Sequence, residues 1–150
     1  MAERLIVRQN KQMEVDILAS NPLNPDSPEL VHVQDIYDLT PFTLLLASLG
    51  TCTTILIHSY AQNHRYPVDE AEVRMTFQEG EGGKDEIVTF VDVRGKGLSE
   101  EDRQHLIRIS ERCAIHKVLD KGIPIHWFDY QAALAEHEQH HHADDHEHDE

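Results

Sequence analysis

The feature that most constrains this chain is a long apolar stretch that contains no internal proline. It runs from Phe42 to about Asn63, with only Gly50 interrupting. Thr40 suits the N-cap and Pro41 the first helical position, where its missing N–H costs nothing. The first half, Leu44 to Gly50, is apolar nearly all the way round, so the predicted helix must be covered on several sides. Leu45, Leu49, Cys52, Leu56 and Ser59 follow the alternating spacing of one face, which places Cys52 in the middle of an expected buried stripe. Whatever else the chain forms has to wrap this helix.

The remaining segments supply the wrapping. Leu5-Ile6-Val7 and Val15-Asp16-Ile17-Leu18 flank the polar run Gln9 to Gln12 and predict a hairpin. Asn21 to Pro28 holds three prolines and predicts a loop, followed by a short edge strand at Val31 to Val33. After Tyr66-Pro67, Glu70 to Gln78 alternates, with Ala71, Val73, Met75 and Phe77 on one side. This is the pattern of a half-buried antiparallel strand. Gly80, Gly82 and Gly83 mark a turn, and Ile87 to Arg94 is its partner strand. Ser99 caps a second helix, on which Leu106, Ile109 and Cys113 share a face. A third helical segment, Ala114 to Lys121, ends at Gly122. Ile123 to Tyr130 is expected as a final strand. Helices grouped between hairpins predict an α+β fold.

Charge limits the function classes. The 150 residues carry 13 Lys+Arg against 28 Asp+Glu, a formal −15. Residues 136–150 hold seven of those acids, six histidines and no Lys or Arg, leaving −8 on residues 1–135. No basic cluster overrides this field, so general nucleic-acid binding is not expected. The run Leu44 to Leu49 is too short to span a bilayer, and Met1 to Val7 has no signal-peptide core. A soluble, cytoplasmic protein is expected, with one domain over 1–135 and a disordered His/acid-rich tail over 136–150. The tail's His137, His140, His141, His142, His146 and His148 could chelate Ni²⁺, Cu²⁺ or Zn²⁺, but incidental affinity is the expectation. A thiolate-and-histidine zinc site from Cys52, Cys113 and His116 lacks an evident fourth ligand. No resident metal or cofactor is expected.

The chemistry rests on two cysteines, Cys52 and Cys113, separated by 61 positions. Spacing alone favours small, inert, buried residues. A reactive pair is the alternative: a peroxide-reducing thiolate activated by a nearby cation, with a second thiol trapping the sulfenic acid. Cys52 lies about three turns into its helix, where the helix dipole no longer helps, so any activator must come from elsewhere.

Two motifs shift that balance. Leu39-Thr40-Pro41-Phe42-Thr43 through Gly50-Thr51-Cys52-Thr53 resembles the first-cysteine helix of the OsmC/Ohr family, the osmotically inducible protein C and organic hydroperoxide resistance proteins. Leu98-Ser99-Glu100-Glu101-Asp102-Arg103, followed by Arg112-Cys113-Ala114-Ile115-His116-Lys117-Val118-Leu119, resembles the second-cysteine helix. The resemblance covers roughly residues 5–130. It implies antiparallel sheets packed around two central cysteine-bearing helices in an intertwined homodimer. It further implies reduction of organic hydroperoxides, with Cys52 peroxidatic, Cys113 resolving through an intramolecular disulfide, and a dithiol of the lipoyl type restoring the pair. Departures are specific. The family's glutamate beside the helix-opening proline is replaced by Phe42 and Thr43, and Ala114 stands where a proline is usual. Neither Arg4 nor Arg8 sits in the motif of the activating arginine. The alternative expectation is therefore a non-catalytic member that binds an apolar ligand between the helices.

Overall fold

The computed structural model describes residues 2–147. Strands β1 (Glu3–Asn10), β2 (Val15–Ser20) and β3 (Leu30–His32) precede helix α1 (Pro41–His64). Strands β4 (Glu70–Glu79) and β5 (Asp85–Arg94) follow, then helices α2 (Glu100–Ser110), α3 (Ala114–Lys121) and α4 (Tyr130–Glu147). The five strands form one antiparallel sheet in the order β3-β2-β1-β4-β5. The chain is α+β, as expected, with both hairpins and the β3 edge strand present.

Alternation along the strands determines which face is buried. Val7 of β1 lies opposite Ile17 of β2 and Val73 of β4, and Val73 in turn lies opposite Val91 of β5. Leu5, Val7, Ala19, Ala71, Val73, Met75 and Val93 form a buried row on one face. Helix α1 lies across that row. Thr40 and Thr43 cap its start reciprocally: the Thr43 N–H donates to Thr40 Oγ1 at 3.1 Å, and the Thr40 N–H donates to Thr43 Oγ1 at 2.8 Å. Gly50 allows the close approach. A Cβ there would stand 2.5 Å from Met75 Cε and 2.7 Å from Val7 Cγ2.

The outward face carries charge. Glu72, only 4% exposed, accepts hydrogen bonds from Arg8 Nε at 2.5 Å and Arg74 Nε at 3.0 Å. Burial alone would raise its pKa, but the two guanidinium partners prevail and hold the carboxyl below its ordinary value.

Three expectations are corrected. The stripe of α1 that faces the sheet is Leu46, Gly50, Thr53, Ile57 and Ala61, all buried, rather than the stripe through Cys52. Small residues won that face because they let the helix sit close, and Cys52 is left on its shoulder, half-buried. Cys113 does not belong to α2, which ends at Ser110. A tight turn, with the Arg112 N–H donating to Ile109 O at 2.9 Å, carries the chain into α3, and Cys113 becomes the N-cap residue there. Residues 123–129 are not a strand, because no neighbour pairs with them. Helix α4 runs from Tyr130 to Glu147 and so includes the first part of the His/acid-rich segment. Asp129 caps it by accepting the Gln131 N–H at 2.8 Å, and its residues through Gln139 are exposed. Residues 148–150 lie outside the described residues.

Helix α1 is, among the described residues, the one helix long and apolar enough to cross a membrane by length and composition. The isolated run Leu44 to Leu49 understated this. Half of the span is buried against the protein's own sheet and helices, as in the core helix of a globular fold.

Candidate functional site: two thiols and an adjoining cavity

The fold brings together the two cysteines that the sequence separates. Cys113 is a member of the main core, 1% exposed, and Cys52 packs against that same cluster. Both are free thiols. Helix α1 supplies Cys52 from its middle, and the α2–α3 turn supplies Cys113 from a helix start. Being a capping residue changes what Cys113 experiences. Burial pushes its thiol pKa up, and the neighbouring Cys52 thiol adds to that rise. The backbone N–H groups of His116 and Ile115, in the first turn of α3, work in the opposite direction but do not overcome it. The net direction is upward, so Cys113 holds its proton at neutral pH.

A cavity of about 640 Å³ opens beside the pair, between α1, β5 and the α2–α3 turn. Leu45, Leu49, Ile87, Val91 and Leu119 contribute apolar walls. Neither sulfur lines it, but their immediate neighbours do: Leu49 and Thr53 flank Cys52, while Ser110 and His116 flank Cys113. His116 stands in the first turn of α3, where its backbone N–H lowers the pKa of the neighbouring Cys113 thiol, and it also lines the cavity.

The N-terminal arginines are engaged elsewhere. Arg4 donates to the carbonyl oxygens of Ser27 at 2.6 Å and Pro28 at 3.5 Å, and Arg8 belongs to Glu72 on the outward face. A carboxylate does stand at the start of α1, contributed by another element. Thr40 Oγ1 donates to Glu3 Oε1 of β1 at 2.5 Å. Sequence reading around Pro41 missed it because the residue is 37 positions away and only strand β1 delivers it. His58, six residues after Cys52 on α1, makes a polar contact inside the protein. It is buried, with Nε2 2.7 Å from the Gln9 carbonyl oxygen.

Among the described residues no group of three or more His, Cys, Asp and Glu side chains is placed to hold a metal ion. The side chains of His140, His141, His142, His146 and His148 lie outside those described.

Two free thiols thus meet at the core of an α+β sheet-and-helix fold, next to a cavity of mixed aliphatic and acidic lining. The family model described as "OsmC-like protein" matches residues 34–128, and the chain belongs to that family. No curated protein sequence matches it. Among solved structures, the fold is similar to an OsmC-like hydroperoxide resistance protein from Jannaschia sp. CCS1. The TM-score is 0.58 at 19% identity, over 85% of this chain and 93% of that one. A second structure, from structural genomics, gives a TM-score of 0.50 at 20% identity, over 74% and 86%.

Proposed function

We propose that this protein is a thiol-dependent peroxidase that reduces organic hydroperoxides. Packing of Cys52 against the buried Cys113, next to a cavity lined partly by aliphatic and partly by polar and acidic side chains, is the observation that carries the reading. Likeness of fold to a protein named for hydroperoxide resistance supports it. The Cys52 thiolate attacks the outer peroxide oxygen, the O–O bond breaks, and the departing alkoxide takes up a proton to leave as the alcohol. Cys52 is then a sulfenic acid. The Cys113 sulfur displaces its hydroxyl as water, forming the Cys52–Cys113 disulfide. A cellular dithiol, of lipoyl type, exchanges with that disulfide, is itself oxidised, and returns both thiols. The assignment of roles follows from the surroundings. Cys113 is buried and keeps its proton, whereas Cys52 sits on the accessible shoulder of α1.

The working form is a homodimer with its partner across the open side of α1. Leu44 and Ile55 are exposed on that helix, and Ile125, Trp127 and Phe128 are 74%, 90% and 82% exposed beyond α3. Apolar surface on this scale calls for a partner. A second copy suits it, since residues 123–129 pair with no strand and β5 is an open edge of the sheet. We place the protein in the cytoplasm, where a reducing poise returns the pair to thiols.

One observation favours a second reading, a non-catalytic binder of an apolar ligand: no Lys or Arg lines the cavity beside the thiols. The two readings separate in one experiment. Reduced protein is given one equivalent of cumene hydroperoxide and its free thiols are counted. The peroxidase reading expects both to disappear within seconds and to return on addition of dihydrolipoamide. Persistence of both thiols in excess hydroperoxide, together with a hydrophobic molecule co-purifying with the protein, would establish the binder instead.

A further inference from the structure

The two cysteines are brought together by the packing of α1 against α2 and the turn that follows α2. A polar link joins the same two helices further along. Tyr60 Oη of α1 lies 3.1 Å from His105 Nε2 of α2, hydrogen-bond distance in either histidine tautomer. The two rings meet edge to face, with centroids 5.7 Å apart. Tyr60 is held in turn by His64, one helical turn on, which stacks on it at 4.0 Å, and by Tyr66 at 6.0 Å. Tyr60 and His105 are half-buried, where water competes less for the bond than at an exposed site. Neither residue lines the cavity beside the thiols. The link also stands at a matched spacing from both sulfurs. Cys52, Leu56 and Tyr60 follow at four-residue steps on α1, and His105, Ile109 and Cys113 repeat that spacing from α2 into the turn. Tyr60 is thus about 12 Å along the helix axis from Cys52. Because Tyr60 follows Cys52 whereas His105 precedes Cys113, the tyrosine–histidine link closes one end of the helix pair and the sulfurs close the other.

We infer that Tyr60 and His105 are a positioning pair that sets α1 against α2 and thereby how readily the Cys52 and Cys113 sulfurs meet. The inference rests on the peroxidase reading for its place in the reaction, the closure of an oxidised Cys52 by the second thiol. Joining two thiols of one chain depends on their effective concentration, which a small displacement of either lowers steeply. Helix α2 is only 11 residues long, and the turn bearing Cys113 follows it directly. A slide or tilt at His105 is therefore carried to Cys113, while Cys52 stays fixed in the middle of the longer α1. Loss of one hydrogen bond of ordinary net worth loosens the far end by a factor of roughly five. Attack of a hydroperoxide on Cys52 needs no second sulfur, so that step does not sense the pair.

Thiol–disulfide equilibrium tests the pair without any peroxide. The fraction of protein carrying the Cys52–Cys113 disulfide is measured in glutathione buffers, where each disulfide formed consumes one glutathione disulfide and releases two glutathione thiols. Tyr60→Phe and His105→Ala are each expected to lower the equilibrium constant roughly fivefold. His105→Gln, whose amide can still bond the tyrosine hydroxyl, is expected to stay within about twofold of the wild-type protein. The double variant Tyr60→Phe/His105→Ala is expected to lose no more than either single one, because both remove the same bond. Constants unchanged by the two single variants would overturn the inference, as would additive losses in the double variant or equal losses in His105→Gln and His105→Ala. The same proteins are then given cumene hydroperoxide. Cys52 should be oxidised at the wild-type rate in every variant, with the disulfide following about fivefold more slowly in Tyr60→Phe and His105→Ala. A first oxidation slowed as much as the second step would also overturn the inference. If hydroperoxide leaves Cys52 reduced even in the wild-type protein, the peroxidase reading falls and the glutathione result still decides the pair. If the glutathione constants do not move, the pair falls and the peroxidase reading stands.

Discussion

Two buried ionisable groups, on opposite faces of the same sheet, have been driven in opposite directions. Glu72 on the outward face keeps its charge, because Arg8 and Arg74 hydrogen-bond to it and outweigh the cost of burial. Cys113 on the inward side keeps its proton, because burial and the adjacent Cys52 outweigh two backbone N–H groups. Burial is common to both. The partner decides the charge: two guanidinium groups hydrogen-bond to Glu72, whereas the groups acting on Cys113 are a thiol and two backbone N–H groups. In the proposed function this fits Cys113 to the resolving role, since a sulfur that stays protonated is suited to wait for an oxidised neighbour rather than to attack a peroxide.

The largest effects expected are those that remove a sulfur. Cys52→Ser should abolish hydroperoxide consumption, a loss of at least roughly a thousandfold, with Cys113 left reduced. Cys113→Ser should allow one oxidation and then stall Cys52 as sulfenic or higher acid, seen as added oxygen by intact mass. Equal reactivity of the two variants would erase the contrast between them.

Next in size is the charged side of the comparison. Glu72→Ala strips the shared partner from Arg8 and Arg74, and it should cost about 2 kcal/mol in urea unfolding, reduced from a fully buried pair because both arginines are partly exposed. The lowered carboxyl pKa also stabilises the fold above the ordinary glutamate range. That contribution is lost as pH falls through the folded-state value, so Glu72→Gln should flatten the acid limb of the stability curve.

A similar or smaller cost is expected at Gly50, two residues before Cys52. Gly50→Ala pushes a methyl into Met75 and Val7, and about 1–2 kcal/mol of overpacking is expected in the same assay. Since α1 must shift to relieve it, disulfide formation after peroxide should slow while the first oxidation of Cys52 does not. Unchanged disulfide kinetics would separate the helix–sheet contact from the meeting of the sulfurs.

The smallest effect is at alkaline pH. Because the Cys113 pKa is raised in the folded state, the native protein retains a proton that the unfolded chain releases. Stability should therefore fall as pH rises from the ordinary cysteine range toward the folded-state value, and Cys113→Ser should remove part of that slope.

Much of the architecture was legible in short-range chemistry. Thr40-Pro41 announces α1, Ser99 announces α2, and the alternation from Ala71 to Phe77 announces β4, because caps and pleats are local. What failed was decided at long range. Nothing in Glu111-Arg112 marks a break, as neither is Gly or Pro, so the helical spacing of Leu106, Ile109 and Cys113 ran straight through a turn. The choice of Leu46-Gly50-Thr53 over Leu45-Leu49-Cys52 as the sheet-facing stripe depends on how closely α1 must approach Val7 and Met75. The segment from Ile123 has strand-forming residues, but a strand requires a neighbour, and no strand of the sheet pairs with it. The two cysteines were identifiable as candidates, but the cavity's carboxylates were not, because they are scattered over Asp85 to Asp120 and only the fold gathers them.

The central claim is that Cys52 and Cys113 react with one another after a peroxide has met Cys52. Peptide mapping of the protein treated with one equivalent of cumene hydroperoxide tests it most directly. The account requires a peptide in which Cys52 is disulfide-linked to Cys113 of the same chain, lighter than the separate peptides by the two thiol hydrogens. Recovery of both cysteines as free thiols, or of Cys52 oxidised beyond sulfenic acid with Cys113 untouched in the wild-type protein, would contradict it.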